Sequence, residues 1–412
     1  MQPAARSRLS AYVLVLLVLG FEPVIPQEPT APTPPKPGQE VSWTLGFRLY
    51  RALRADGTEN PLFSPLMLAG SLGALGDRAG GTTAVQFQQI LNTSALPLKD
   101  QLEVLSGAVK SIRAANGTGF NLHSSSAVFT KKAPVLDAEF LKEAQTRFRL
   151  EHVALGAGDS QADWEALHAW AGRGMGGAKG AHPPGDVLAK PGALILAHAL
   201  HFRGLWDKGF EEGSQDIRSF LGTKYTKTPM MHCAGVFRHY EDMENMVQVL
   251  EMGLWGGRAS LVLLLPFHVE PLTRLDRLLT PELLAKWLEK LREQSMAISL
   301  PRATLTSTLN LQKHLSALGL TDAWDEKKAD FSGVMGKAAG QGELHLAGVL
   351  HWATLELTPQ GGGETDEEKV GKTKLFYADH SFIVLVKDNV SGALLLMGAL
   401  DQTEGAALHD EL

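Results

Sequence analysis

The sequence predicts an α+β fold in one large domain, and three observations lead to it. Apolar residues recur at helical spacing early in the chain, and short apolar runs bounded by turn residues come later. No motif recurs with a period of about 20 to 50 residues, so this is not a repeat protein. Helices first and strands later is the texture of segregated α+β packing.

Each segment has its own reason. Arg6 and Arg8 precede an eleven-residue apolar run, Ala11 to Phe21. That run is too short to span a bilayer core of roughly 30 Å, so residues 1–21 read as a signal peptide. Seven prolines fall within residues 23 to 37, and residues 22–40 read as an extended linker. Trp43, Phe47, Tyr50 and Leu53 then mark an amphipathic helix, as do Leu102, Leu105, Val109 and Ile112. Asp137 is placed to cap a helix carrying Phe140, Leu141, Ala144 and Phe148. The runs from Ala193 to Leu200, Leu261 to Leu265 and Phe382 to Val386 have the apolar texture of strands buried on both faces. Helical patterns return over Pro281–Arg292 and Leu309–Leu318.

Composition excludes several functions. Removing the leader leaves about 390 residues, enough for a substantial core, and 44% of the chain is apolar. A net charge of −6 leaves no basic stripe for nucleic acid and no polybasic patch for a membrane surface. Cys233 is the only cysteine, so no internal disulfide can form, and it reads as a small buried filler. No G-x-S-x-G, H-E-x-x-H or P-loop pattern is present, and no metal, cofactor or catalytic residue is expected. Asn92, Asn116 and Asn389 head glycosylation sequons. The chain closes on His409, Asp410, Glu411 and Leu412, the H-D-E-L address that a receptor reads to return soluble proteins to the endoplasmic reticulum. Leader and tail together predict residence in the lumen of that compartment, with no integral membrane segment.

Several segments resemble the serpin family. Asn60 to Pro65 is similar to its N-x-x-x-S-P opening, Ala193 to Phe210 to its central strand and following turn, and Ala378 to Ile383 with Gly392 to Gly398 to its C-terminal signature. The likeness runs from about residue 42 to 400, with a domain spanning 41–402 and a tail from 403 to 412. It implies three β-sheets, about nine helices and an exposed reactive loop over Pro359 to Thr373. Most serpins inhibit proteases by inserting that loop into a sheet as a strand. Here one alternating set of loop residues is Gly362, Glu364, Asp366 and Glu368; the other is Gly363, Thr365, Glu367 and Lys369. Burying an unpaired carboxylate costs several kcal/mol, and Gly361 to Gly363 is expected to resist strand formation. The loop is therefore expected not to insert.

Within the family, Phe267 to Leu272, Leu311 to Thr321 and Lys374 to His380 resemble the collagen-specific, clade H chaperones of the endoplasmic reticulum. That resemblance implies a collagen contact through Leu375, Tyr377 and Asp379 on one strand, with Arg218 and Leu221 from a neighbouring one. Positions 375, 377 and 379 share one face of any strand. A triple helix exposes its X and Y side chains, and Asp379 is suited to take an arginine at Y. Leu221 stands where those chaperones have methionine, while Glu211, Glu212 and Phe267 replace histidines. His380, His232, His268 and His351 match further family histidines and are the candidates for sensing the pH at which cargo is released. His380 is expected to face away from Asp379, into the domain. His198, where most serpins have asparagine, and the glycine-rich stretch from Gly172 to Gly185 depart from the pattern. Three other readings remain open: an inhibitory serpin-type protease inhibitor, a serpin-fold protein with a changed client, and an enzyme using Asp379 and His380. Adjacent strand residues pointing apart count against the last.

Overall fold

Helix α1 (Pro37–Ala55) opens on a proline, whose fixed φ and missing N–H suit a first helical turn. It buries Trp43, Phe47, Tyr50 and Leu53, and it begins within the stretch read as linker. A computed structural model describes residues 37–91, 96–132, 135–156, 159–178, 191–211, 216–335, 344–363 and 372–405. The signal peptide, most of the proline-rich linker, Asn92, Glu212, loop residues Glu364 to Lys369 and the His409–Leu412 tail lie outside these residues.

After the short strand β1 (Leu62–Phe63), Ser64 caps α2 (Pro65–Asp77) by accepting the Met67 N–H. Helices α3 (Gly81–Leu91) and α4 (Leu98–Ala114) follow, and α4 buries Leu102, Leu105 and Ile112. Strand β2 (Phe120–Lys131) leads to α5 (Ala138–Phe148), which Asp137 caps through the Phe140 N–H at 2.8 Å. Then come β3 (Leu150–Leu155), α6 (Ser160–Gly174), β4 (Ala193–Gly204) and β5 (Trp206–Lys208). A hairpin of β6 (Ile217–Leu221) and the long β7 (Tyr225–Asp242) precedes β8 (Val247–Gly253) and β9 (Ala259–Pro266). Helices α7 (Thr273–Leu278) and α8 (Pro281–Lys290) lead to β10 (Arg292–Pro301), β11 (Ala303–Asn310) and α9 (Gln312–Ala317). The helix expected over Leu309–Leu318 is thus shortened, because Leu309 and Asn310 belong to β11. The chain ends with α10 (Ser332–Met335), β12 (His345–Leu357), β13 (Gly361–Gly363), β14 (Lys374–Tyr377), β15 (Phe382–Asp388) and β16 (Leu394–Leu400).

The strands form three sheets. One has nine strands in the order β1-β16-β15-β9-β8-β7-β10-β14, with β6 added on β7. A second runs β11-β12-β4-β2-β3, and a third pairs β13 with β5. Ten α-helices occur among the described residues, close to the nine expected. The three apolar runs read as strands are β4, β9 and β15, and all of β9 is buried. The large core reaches from α1 and α2 through both major sheets, and a smaller cluster sets Trp170 edge-on against Phe129 at 5.4 Å. Cys233 is buried in the large core, where desolvation pushes its thiol up to about 12.

One expectation fails at the start of the loop. Gly361 to Gly363 do form a strand, parallel to β5, with Gly361 opposite Trp206 and Gly363 opposite Lys208. The cause is steric. A Cβ on Gly361 would clash with the Gly209 backbone, and one on Gly362 would clash with the Trp255 ring. Only a bare backbone can approach this closely, so glycine permits the pairing here instead of opposing it.

Candidate functional site

Strand β14 lies at one end of the nine-stranded sheet, parallel to β10, with Leu375 opposite Ala297 and Tyr377 opposite Ser299. Alternation sorts its side chains. Phe376 and Ala378 are fully buried, whereas Leu375 is 71% exposed and Tyr377 38% exposed. The strand ends at Tyr377, yet the alternation continues through a half-buried Asp379 to His380, which is 5% exposed. Leu375, Tyr377 and Asp379 therefore present one outward row, as their spacing implies.

Leu221 joins β6 to this row. Its N–H donates to the Asp379 carbonyl at 2.7 Å, and it forms a parallel bridge with His380. Arg218, three residues earlier, is exposed and binds Asp216 through Nε at 2.7 Å. Its terminal nitrogens have no hydrogen-bond partner among the described residues. Asp216 also meets His232 Nε2 at 3.0 Å, and His232 Nδ1 reaches Ser299 Oγ at 2.8 Å. A chain of polar contacts thus runs from Arg218 through Asp216, His232 and Ser299 to the strand position opposite Tyr377. Asp216 was not anticipated, although an aspartate two residues before an arginine in extended chain is a legible pairing. Arg218 beside it holds the Asp216 carboxyl below the usual carboxylate range. Burial raises the Tyr377 hydroxyl; Arg218 pulls it down while Asp379 and Asp216 push it up. The charges of Arg218, Asp216 and Asp379 are all felt at Tyr377.

His380 is not independent of Asp379. Its ring is buried as expected, but Nδ1 lies 2.9 Å from Asp379 Oδ1 and Nε2 lies 2.9 Å from the Pro266 carbonyl. The two side chains meet although neighbouring residues of a regular strand diverge; they lie beyond Tyr377, the last residue of β14. A carboxylate and a carbonyl only accept, so this arrangement is complete only with a proton on each ring nitrogen.

The other candidate histidines are not brought together here. His268 is exposed. His351 is fully buried on β12, in the other large sheet, and its Nε2 accepts the Ser64 N–H at 3.0 Å. Desolvation, with His198 beside it, holds His351 well below the usual imidazole range. Of the sequon asparagines, Asn116 is exposed and pairs its side chain with the Leu122 backbone at 2.9 and 2.8 Å. Asn389 is half-buried, with Nδ2 donating to the Gly257 carbonyl at 3.0 Å. Among the described residues no group of three or more His, Cys, Asp or Glu is arranged to hold a metal. No described helix is long and apolar enough to cross a membrane.

Comparison with known proteins matches residues 40–402 to the family model described as serpin (serine protease inhibitor). Serpin H1 of Rattus norvegicus is 37% identical over 383 residues, covering 90% of this chain and 90% of that protein. Serpin H1 of Gallus gallus is 35% identical over 384 residues, covering 90% and 92%. Neuroserpin of Rattus norvegicus is 26% identical over 391 residues, covering 90% and 93%. Among solved structures, uncleaved ovalbumin superposes with a TM-score of 0.78 at 22% identity, covering 89% of this chain and all of that one. Thyroxine-binding globulin in complex with thyroxine gives 0.76 at 21% identity.

Proposed function

The chain belongs to the serpin family, as a diverged member of clade H, and from that membership we propose that it is a collagen-binding chaperone. It holds triple-helical procollagen in the lumen of the endoplasmic reticulum, catalyses no reaction and inhibits no protease. One observation carries the reading: the outward row of Leu375, Tyr377 and Asp379, stitched to β6 at Leu221. A half-buried acid beside two exposed apolar side chains suits a stiff rod that displays arginine and proline.

In this mechanism the Asp379 carboxylate accepts a guanidinium from a Y-position arginine, a charge-assisted bond contributing about 1.5–3 kcal/mol net. Leu375 and Tyr377 cover it, packing on adjacent X and Y side chains and limiting the access of water. Arg218 is held by Asp216 through Nε alone, so its terminal nitrogens can donate to rod carbonyls. Release follows from His380. With one proton, held by the Pro266 carbonyl, the ring turns a lone pair toward Asp379 and leaves the carboxylate to the guest. With two, it donates to Asp379 and competes with the guanidinium. Falling pH therefore loosens the grip. His232 contacts Asp216, the partner of Arg218, at 3.0 Å.

Asp379→Asn tests the reading. The substitution keeps the shape and removes the charge, so retention on immobilised collagen is expected to disappear while the melting temperature stays within about a degree or two. Undiminished retention would remove Asp379 from the contact. The address at His409–Leu412 and the acidic loop lie outside the described residues, and the lumenal, non-inhibitory part of the proposal rests on their sequence. Incubation with secretory proteases is expected to give no covalent complex.

A further inference from the structure

Next to the outward row lies a groove of about 430 Å³ that shares only Leu221 with the collagen contact proposed above. Leu221 and Ser381 line it, and they flank Asp379: one binds its carbonyl and the other follows it by two residues in the chain. Tyr225, opposite Leu221 in the β6–β7 hairpin, is 56% exposed at the groove, and Val269 is 52% exposed. Of its three carboxylates, Glu270 is held by Arg274 at 2.9 Å and Asp401 by Arg54, whereas Glu59 is exposed with no ion-pair partner among the described residues.

We propose that this groove is a second subsite for the same collagen rod, one step further along its axis from the arginine at Asp379. The proposal rests on the collagen reading above. A triple helix is stiff and cannot bend away after one contact, so a rod held at Asp379 continues over the neighbouring surface. Toward the groove that surface offers what the rod displays. Tyr225 and Val269 present an apolar floor for proline rings, and the free Glu59 carboxylate attracts a second cationic side chain at X or Y. The groove is too small for the rod and takes the side chains that project from it. Large aromatic side chains at the heart of a contact dominate binding, so Tyr225 is expected to be the main determinant of length and sequence preference beyond the first arginine.

The test uses the full-length protein and synthetic triple-helical peptides of Gly-Pro-Pro repeats bearing a single Gly-x-Arg triplet at the centre, near the N-terminal end or near the C-terminal end. Tyr225→Ala is expected to weaken binding of the central-arginine rod about tenfold. It is also expected to weaken one of the two end-placed rods and leave the other unchanged, since one of them stops short of the groove. Val269→Ser and Glu59→Gln are expected to follow the same pattern with smaller losses, and placing a lysine in the triplet over the groove should strengthen binding in the parent but not in Glu59→Gln. Asp379→Asn serves as the control. If it abolishes binding while Tyr225→Ala and Val269→Ser bind all three rods as the parent does, the second subsite is wrong and the first contact stands. If Asp379→Asn changes nothing, the collagen reading falls and the subsite falls with it. All three groove residues are exposed, and unchanged melting temperatures separate lost binding from lost folding.

Discussion

In the proposed mechanism a single side-chain pair, Asp379 with His380, joins binding to release. The acid lies in the outward row, the imidazole is buried behind it, and the 2.9 Å contact between them couples one proton to one carboxylate. Under the proposed release, parent protein should hold an arginine-bearing rod less tightly at about pH 5.5 than at about pH 7.4. His380→Asn should bind at both ends of that range and give a flat profile. An unaltered pH profile in the variant would move the switch elsewhere, and a flat profile in the parent would reject the release mechanism. The outward row was legible because a period of two needs only three residues to reveal itself. The Asp379–His380 contact was not, because it lies beyond the last residue of β14, and nothing in Ala378 to Ser381 marks that end.

Strands β4 and β12 meet in register at two histidines. His198 faces His351 with ring centroids 5.5 Å apart, and both are fully buried. Ser71 Oγ lies 2.6 Å from His198 Nε2. Desolvation pushes His198 down to about 3, and His351 is also strongly lowered. The unfolded chain binds protons on both near 6.5, where the folded chain does not. The pair therefore costs nothing above that pH and destabilises the fold as pH falls from about 6.5 toward 3, by up to about 1.4 kcal/mol per pH unit for each histidine. Denaturant titrations at pH 7 and at pH 5 should show His198→Asn losing less stability on acidification than the parent. Equal losses would mean that the pair titrates outside this window. At this scale burial is legible where it is complete, as in β9 and β15, whose runs are wholly apolar, and in β4, whose run is interrupted only by His198. It is poorly legible where polar residues are carried inside. Strand β2 holds Ser124, Ser125 and Ser126, and β7 buries Thr226 and Thr228, so neither displays an apolar run. The strand at Gly361 to Gly363 is not legible in the sequence because its pairing depends on distant residues, Trp206 to Lys208, and on the close approach of Gly209.

For the whole molecule, stability comes from one extensive core with no disulfide, and the proposed lumenal location rests on the sequence of residues 1–21 and 409–412. Deleting His409 to Leu412 should leave melting temperature and collagen retention unchanged while sending the protein into the culture medium of secreting cells. Continued retention in those cells would point to capture by cargo instead of by the tail. The family was legible across nearly the whole domain because the segments that carry it, around Ser64, β4 and β15, are those on which the sheets are assembled. The candidate surface drew on elements far apart in the chain, and only folding brings β6 beside β14. The solitary thiol of Cys233 has a consequence of its own. Sealed among apolar neighbours and held protonated, it offers thiol–disulfide exchange nothing to attack and no second sulfur to join. In the oxidising lumen proposed above, a thiol so placed would leave the shape of the protein indifferent to the redox poise around it.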